Sequence, residues 1–382
     1  MFFLCNFLEI MKISYLSTFY PFRGGIAQFN ALLHNELAKY NEIQAFTFTR
    51  QYPQFLFPGK SQMVQPNDDT EVINSRQCLD TINPISYYKT GQIIRDFKAD
   101  LNIMKFWMPF FAPSLGKVAR ILRKTGTKNI AILDNVIPHE PRPGDIALTK
   151  YFLNSCDAFV VMSQTVKNDL LKLKPDAQYS YLEHPIYDQF HQKMNREDAL
   201  AKLKLNKNKK YILFFGFIRK YKGLDLLLQA MQFLPEDIEL IVAGEVYGDF
   251  IEYQNVIDDL NLSHRVHLFT NYIADSEVSI YFSSADVCIL PYRSATQSGI
   301  TGIAYNYDMP LIASDTGSLK EVIEPYNSGI IIKKAEPKLI ADAINEFYRN
   351  DINSYKVGIA DYKAIANWKY FAEGISKLYN QI

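Results

Sequence analysis

The stretch "YILFFGFIRKYKGLDLLLQAM", residues 211–231, carries the pattern that decides the fold. Its first five residues are all apolar, which is typical of a strand buried on both faces of a parallel sheet. After the glycine at 223, four apolar residues recur at helical spacing, namely Leu224, Leu227, Leu228 and Met231. The stretch therefore predicts a strand, a turn and a helix. The turn holds three cations, Arg219, Lys220 and Lys222.

The same alternation of apolar strands and helical patterns runs along the whole chain. Strand-like runs precede this stretch at 12–17, 43–48, 101–106, 129–134 and 157–163, and follow it at 238–244, 266–270, 286–292, 310–314 and 329–333. A polar segment, 188–210, separates the two series. Continuous apolar strands between helices predict parallel sheets that are covered on both faces. We therefore expect two doubly wound α/β domains, at about 11–190 and 195–360, that face each other across a cleft at the carboxyl ends of their strands.

The composition narrows the class of protein. The chain has 382 residues, with 41 Lys and Arg against 41 Asp and Glu. This balance gives no reason to expect nucleic acid as a partner, so any anion site must be local. The four cysteines are scattered and lack metal-ligand spacing, which favours reduced thiols in the cytosol. They are Cys5, Cys78, Cys156 and Cys288.

The first ten residues, "MFFLCNFLEI", form a separate apolar stretch. They lack the basic start and the cleavage site of a secretory signal, and they are too short to span a bilayer. We expect them to be an extension from an upstream start codon, with Met11 opening the first strand. A short segment that touches a membrane is the alternative.

Several common catalytic motifs are missing from the sequence. It has no G-x-G-x-x-G for a dinucleotide, no G-x-x-x-x-G-K-[ST], no G-x-S-x-G and no H-E-x-x-H. It also has no D-x-D, which weakens the case for a divalent metal held between paired carboxylates.

Three turns instead place glycines or cations where a helix follows a strand. Such turns bind anions through backbone N–H groups and the helix dipole. The first is at 21–29 and the second lies in the opening stretch, between the strand and the helix that begins near Gly223. The third is at 291–323, where a polar loop at 294–298 leads to Gly299. Cations beside a helix N-terminus are unfavourable unless an anion shares the place, so the second turn gives the stronger signal. For the first turn, the alternative is a tight turn without a ligand. For the second turn, the alternative is ordinary surface charge, and Lys220 of this turn is expected to face solvent.

Five stretches, in this order, carry a family resemblance: "YPFRGGIAQ" (20–28), "GFIRKYKGLDLLLQA" (216–230), "IVAGE" (241–245), "ADVCILPYRSATQSG" (285–299) and "MPLIASDTGSLKEVI" (309–323). Together they resemble a family 4 retaining glycosyltransferase (glycosyl transferases group 1) of GT-B architecture, over nearly all of the chain from Met11. The resemblance implies metal-independent transfer of a hexose from a UDP- or GDP-linked donor, which is a substrate, with no cofactor. It also implies that a terminal helix, about 362–382, packs back on the first, acceptor-side domain, and that the second domain binds the nucleotide-sugar.

The resemblance also implies which residues bind the donor. In this family a basic pair clamps the donor diphosphate and replaces a metal, and Lys222 falls on the family's lysine. Phe217 stands where the family usually has arginine, so Arg219 is expected to reach the same phosphate. The other implied donor contacts are Gly24, Gly25, Gly216, Gly244, Tyr272, Ile273, Gln297, Ser298, Gly299, Ile300 and Thr301.

Two departures from the family pattern concern the reacting centre. Ala295 and Ile303 occupy the positions of the family's E-x7-E glutamates, so Thr296, Gln297 and Ser298 are the expected hydrogen-bonding substitutes. Where the family commonly has a histidine after a strand of the first domain, this chain has Asp134, with His139 five residues later. Either is a candidate catalytic residue. The alternative is that His139, with Glu140, only holds its loop.

The acceptor is expected to be a glycan or a lipid-linked molecule, in cell-surface polysaccharide or glycoconjugate synthesis. Residues 101–128 combine aromatics with Lys117, Arg120, Arg123, Lys124 and Lys128, a pattern that suits an anionic membrane surface. A core loop followed by a solvated helix face is the alternative. The sequence thus predicts a cytoplasmic enzyme, with the inner face of the membrane as a second location. A nucleotide-sugar epimerase of the same architecture and a non-catalytic binding protein are the other hypotheses.

Overall fold

The computed structural model describes residues 10–53, 62–64, 71–138, 142–186, 191–295 and 298–382. Its contacts divide the chain into two units. The first unit comprises the described residues up to Leu182 together with Trp368–Ile382, and the second comprises those of Glu183–Asn367. Residues 362–367, at the start of the predicted terminal helix, therefore belong to the second unit.

The first unit is built on a seven-stranded parallel sheet with the order β3-β2-β1-β4-β5-β6-β7. Its strands are β1 Lys12–Leu16, β2 Glu42–Arg50, β3 Ser75–Asp80, β4 Leu101–Phe106, β5 Lys128–Leu133, β6 Ala158–Val161 and β7 Tyr179–Tyr181. Its helices are α1 Gly25–Ala38, α2 Pro84–Phe97, α3 Ala112–Arg123, α4 Asp145–Leu153 and α5 Gln164–Leu173, and a helix late in the chain, Trp368–Tyr379, also belongs to it.

The second unit has a six-stranded parallel sheet with the order β10-β9-β8-β11-β12-β13. Its strands are β8 Lys210–Phe215, β9 Ile238–Ala243, β10 Val266–Phe269, β11 Val287–Leu290, β12 Leu311–Ser314 and β13 Gly329–Ile332. Its helices are α6 Arg196–Leu203, α7 Leu224–Ala230, α8 Ile251–Asp259, α9 Asp275–Ser284, α10 Gly299–Asn306, α11 Leu319–Ile323, α12 Pro337–Arg349 and α13 Ile352–Ile365. The helix Trp368–Tyr379, which belongs to the first unit, is labelled α14. Two parallel-sheet α/β units confirm the predicted fold class.

The apolar patterns explain how each unit forms its core. All six residues of β4 and all six of β9 are buried, as expected for strands covered by helices on both faces. Along α12, the apolar residues Ile340, Ile344 and Phe347 recur every three or four positions, and all three are buried against the second sheet.

Two strands of the first unit were not predicted. They are β3, with the sequence "SRQCLD", and β7, with the sequence "YSY". Both lie at the edges of the sheet, where one side of the strand pairs with no other described strand and all of the side chains except Leu79 stay at least partly exposed. Because edge strands need no continuous apolar run, their sequences resemble loops.

Helix α14 completes the first unit by packing on α1. The rings of Trp368 and Phe371 contact the ring of Phe29, with centroids 5.1 and 5.6 Å apart. Gly374 lies so close to Leu182 that a Cβ there would come within 2.5 Å of its side chain. None of the described helices combines the length and the apolar character needed to cross a bilayer.

Candidate functional site

The carboxyl edge of the second sheet gathers the residues that the sequence singled out in that unit. Strand β8 lies between β9 and β11, so the loops that follow these three strands emerge side by side. The loop after β8 carries Gly216 to Gly223, the loop after β9 carries Gly244, and the loop after β11 leads into α10. In parallel sheets this edge is where ligands bind.

Two glycines bring the ends of β8 and β9 together. Gly216 and Gly244 have φ angles of 98° and 144°, which other residues rarely adopt. A Cβ on Gly244 would lie 2.2 Å from the carbonyl oxygen of Gly216. A Cβ on Gly216 would lie 3.0 Å from Nζ of Lys222 and 3.1 Å from Cδ1 of Ile300. The absence of a side chain on Gly216 therefore lets the Lys222 ammonium and the first turn of α10 approach the end of β8 closely.

Lys222 is a buried cation at this place, with 8% of its surface exposed. Within the part of the chain that the structure describes, its Nζ has no carboxylate and no hydrogen-bond partner, and the ring centroid of Tyr292 is 5.7 Å away. Burial, and next the nearby charge of Arg219, lowers the pKa of Lys222 to about 8. A buried charge without a counter-ion is costly, so the site is suited to an anion.

Among the described residues, Arg219 contacts an aromatic pair and has no acidic partner. Its guanidinium lies 4.3 Å from the ring centroid of Tyr247, and that ring packs edge to face on Phe217 at 4.8 Å. This cation–π contact fixes the arginine close enough for its charge to affect Lys222. Lys220, by contrast, is 78% exposed and lies 3.5 Å from Glu252, so it faces solvent as expected.

The first turn of α10 contributes a second polar group without a partner. Thr301 is buried, and no group of the described chain hydrogen-bonds its Oγ1. The Ser298 hydroxyl lies 3.3 Å from the hydroxyl of Tyr292. The first amides of a helix, here those of Gly299 and Ile300, have no partners within the helix and can bind an anion. Thr296 and Gln297, which precede them, lie outside the described residues.

Tyr272 and Ile273 follow β10, the edge strand beside β9. The Tyr272 side chain is 41% exposed. Both residues thus lie at the same edge of the sheet, two strands away from Gly216.

The candidate residues of the first unit lie at the carboxyl edge of its own sheet. Gly24 has a φ angle of 105° and precedes α1, and a Cβ on Gly24 or Gly25 would meet open space. The Tyr15 hydroxyl of β1 donates to Oδ1 of Asn30 of α1 at 2.6 Å, and the Asn30 amide donates to the Ser17 hydroxyl at 2.8 Å. This network fixes the end of β1 against α1.

Asp134, directly after β5, forms an ion pair that the sequence analysis missed. Its Oδ1 lies 2.7 Å from Nζ of Lys105, a residue of β4 that is only 2% exposed. The same Nζ lies 3.5 Å from the ring centroid of Phe29. Burial raises the pKa of Asp134 and lowers that of Lys105, and the attraction between them opposes both shifts. The available signal was a lysine inside the apolar strand "LNIMKF". His139 lies outside the described residues.

The stretch 101–128 uses much of its aromatic and basic surface internally. Phe106 and Phe111 are buried in the core, and the Trp107 indole donates to the Tyr52 hydroxyl at 2.7 Å. Arg120 donates to the Ser155 hydroxyl, and Arg123 pairs with Asp157 at 3.2 Å. Lys117 and Lys124 are exposed. In the described parts of both units, no three His, Cys, Asp or Glu side chains come together in a way that could hold a metal ion.

Comparison with known sequences finds a similarity that lies mainly in the second unit. Residues 195–363, less than half of the chain, match the family model described as Glycosyl transferases group 1. The D-inositol 3-phosphate glycosyltransferase of Corynebacterium diphtheriae is 24% identical over 195 residues, which is 48% of this chain and 45% of that protein. Spore coat protein SA of Bacillus subtilis is 26% identical over 200 residues, which is 49% of this chain and 52% of that protein. The chain thus spans about half the length of these relatives.

Comparison with solved structures covers both units. Anabaena HepE in complex with UDP has a TM-score of 0.74 at 15% identity, with 97% of this chain and 100% of that chain covered. Sucrose-phosphate synthase from Thermosynechococcus elongatus has a TM-score of 0.72 at 18% identity, with 97% and 98% covered. Likeness at such low identity concerns the fold, and it confirms the predicted architecture. The second unit thus resembles the glycosyl transferases group 1 family over nearly its whole length, and the chain as a whole has the GT-B fold.

Proposed function

We propose that the protein is a retaining glycosyltransferase of family 4, which moves a hexosyl group from a nucleotide diphosphate donor to a glycan or lipid-linked acceptor. Its role would be in the synthesis of cell-surface polysaccharide or glycoconjugate, in the cytoplasm or at the inner face of the membrane. The observation that carries the proposal is Lys222, a buried cation without an acidic partner in the described chain. The match of residues 195–363 to glycosyl transferases supports it.

The donor diphosphate would occupy the place beside Gly216. There the Lys222 ammonium supplies charge, the Thr301 hydroxyl supplies a hydrogen-bond donor, and the first amides of α10 supply further donors. A diphosphate would thus give Lys222 a counter-ion and Thr301 a partner. UDP and GDP are the donor nucleotides to consider first. The solved structure of HepE contains UDP.

Charge development explains why the transfer needs these groups. When the bond between the sugar and the donor phosphate breaks, negative charge builds on the leaving diphosphate, and Lys222 and Arg219 stabilise it without a metal. The acceptor hydroxyl attacks the same face of the sugar, and its proton goes to the departing phosphate oxygen. Catalysis then depends mainly on position and electrostatics, and no carboxylate at residues 295 or 303 is required.

A donor panel tests the proposal. Purified protein is mixed with UDP-, GDP- and ADP-sugars, ligand-induced shifts in melting temperature are measured, and the best donor is then assayed for transfer and for hydrolysis. We expect one nucleotide to stabilise the protein and its sugar to be transferred or slowly hydrolysed. Lys222→Met should bind the nucleotide about tenfold to a hundredfold weaker and so reduce the shift, whereas Lys220→Met, which removes the exposed cation of the same turn, should leave it intact.

Other outcomes would contradict the proposal. Interconversion of donor sugars in the absence of any acceptor, without release of nucleotide, would indicate an epimerase. Binding without transfer or hydrolysis to any acceptor class would indicate a non-catalytic binding protein. An inverted anomeric configuration in the product would refute the retaining mechanism.

A further inference from the structure

Glu245 presents a buried carboxylate oxygen that the fold leaves unused. Its Oε2 is inaccessible to solvent and has no hydrogen-bond donor in the described chain. Such an atom loses its hydration without compensation, at a cost that native proteins rarely accept outside functional sites. The diphosphate assigned to Lys222 cannot relieve this cost, because it is itself an anion and an acceptor.

The backbone around Glu245 is held against the loop that follows β8. The Glu245 carbonyl accepts a hydrogen bond from the Ile218 amide at 2.9 Å, and Val246 forms a parallel bridge to Ile218. Gly244, just before it, packs against the carbonyl of Gly216. Glu245 therefore lies at the end of β9, directly beside the loop that carries Lys222.

The order of groups along this edge of the sheet follows the order of parts in a nucleotide. The first turn of α10 follows β11, Lys222 follows β8, Glu245 follows β9, and Tyr272 follows β10. These strands are consecutive neighbours in the sheet, about 4.8 Å apart. An anion site is thus followed by a carboxylate and then by an exposed aromatic ring. A nucleoside diphosphate has phosphates, then a sugar with two hydroxyls, then a flat base.

We propose that Glu245 accepts hydrogen bonds from the ribose hydroxyls of the donor nucleotide. The inference rests on the proposed function, because it takes the diphosphate to lie at Lys222. A carboxylate accepts hydrogen bonds and cannot donate them when ionised, so the vicinal O–H groups of ribose match its chemistry. Glu245 would then provide the carboxylate that residues 295 and 303 lack.

The test compares two nucleotides on three proteins. The probes are UDP or GDP, whichever the wild-type protein binds, and the 2′,3′-dideoxy analogue of the same nucleotide. The proteins are wild type, Glu245→Ala and Glu252→Ala, and affinities are measured by titration calorimetry. Glu252 is a matched control because it is also a glutamate of the segment after β9, in the first turn of α8, and its side chain is 75% exposed.

Loss of a hydrogen bond to a charged group corresponds to a fall in affinity of about tenfold to a hundredfold. We expect the wild-type protein and Glu252→Ala to bind the dideoxy analogue weaker than the parent nucleotide by this factor. Glu245→Ala should bind both probes equally, at the level of the wild-type protein with the analogue. Its melting temperature without ligand should be no lower than that of the wild type, since an uncompensated buried oxygen has been removed.

Two results separate failure of this inference from failure of the proposed function. If Glu245→Ala discriminates between the two probes as strongly as the wild type does, Glu245 does not hydrogen-bond the ribose. The nucleotide site at Lys222 is then still supported. If the wild-type protein binds neither UDP nor GDP, the proposed function fails, and the assignment of Glu245 fails with it.

Discussion

The affinity for a nucleoside diphosphate should fall between pH 7 and pH 9, because Lys222 loses its proton in this range. Its buried ammonium has a pKa of about 8 in the free protein. About nine tenths of the molecules then carry the charge at pH 7 and about one tenth at pH 9. If only the charged form binds, the dissociation constant for UDP or GDP rises about tenfold over this range.

The same reasoning fixes the proton balance of binding. A bound diphosphate stabilises the ammonium and raises the pKa of Lys222, so binding takes up protons from the buffer. At pH 8, where about half of the lysines are neutral, the uptake should be about half a proton per nucleotide. Titration calorimetry at pH 8 in buffers of different ionisation enthalpy measures this number directly.

Variants identify the group that titrates. Lys222→Met should bind about tenfold to a hundredfold weaker at pH 7 and lose the proton uptake, because the titrating ammonium is gone. Lys220→Met should behave like the wild type in both respects. The reasoning is refuted if the wild-type protein takes up no proton at pH 8, or if Lys222→Met takes up as much as the wild type does.

The remaining predictions concern stability, positioning and metals. The pKa of Lys222 is lower in the folded than in the unfolded chain, so its burial costs stability below pH 8, and this cost is relieved as the pH approaches 10.5. Lys222→Met should therefore raise the free energy of unfolding at pH 7 by up to about 3 kcal/mol. Denaturant titrations should show no such gain at pH 10.5. Asp134→Asn should destabilise the first unit by about 3–5 kcal/mol, since it leaves the Lys105 charge buried and unpaired, while calorimetric UDP affinity stays unchanged; equal stability of the variant and the wild type would contradict this. Tyr247→Ala should weaken UDP binding about twofold to thirtyfold by freeing Arg219, and Tyr247→Phe should restore it, whereas loss in both variants would exclude a cation–π role. Transfer should persist in excess EDTA, and loss on chelation that magnesium or manganese restores would overturn metal independence.

The sequence predicted the second unit well because its signals are local. Strand, turn and helix at 211–231 follow one another along the chain, so the position of Lys222 beside a helix start could be inferred from spacing alone. The two glycines at 24 and 25 and the helix start at 299 could be found in the same way. All of these features depend on residues within about one turn of each other.

Contacts across the sheets could not be predicted in this way. Lys105 and Asp134 are far apart in sequence, and they meet only because β4 and β5 are neighbours. Tyr247 and Glu245 follow β9, and they reach the Arg219 loop only through the pairing of β9 with β8. Strand order is a global property of the chain, so the identity of these partners required the structure.

The placement of α14 sets an order of events for folding. Phe29 lies in α1, and its ring is covered by Trp368 and Phe371, which are synthesised only after the second unit. During translation the second unit can fold from its own residues. The first unit keeps an apolar face of α1 uncovered until α14 has been synthesised. Such a delay lengthens the time in which a nascent chain can aggregate or recruit a chaperone. Loss of α14 would leave that face permanently exposed, although every strand of the first sheet would still be present.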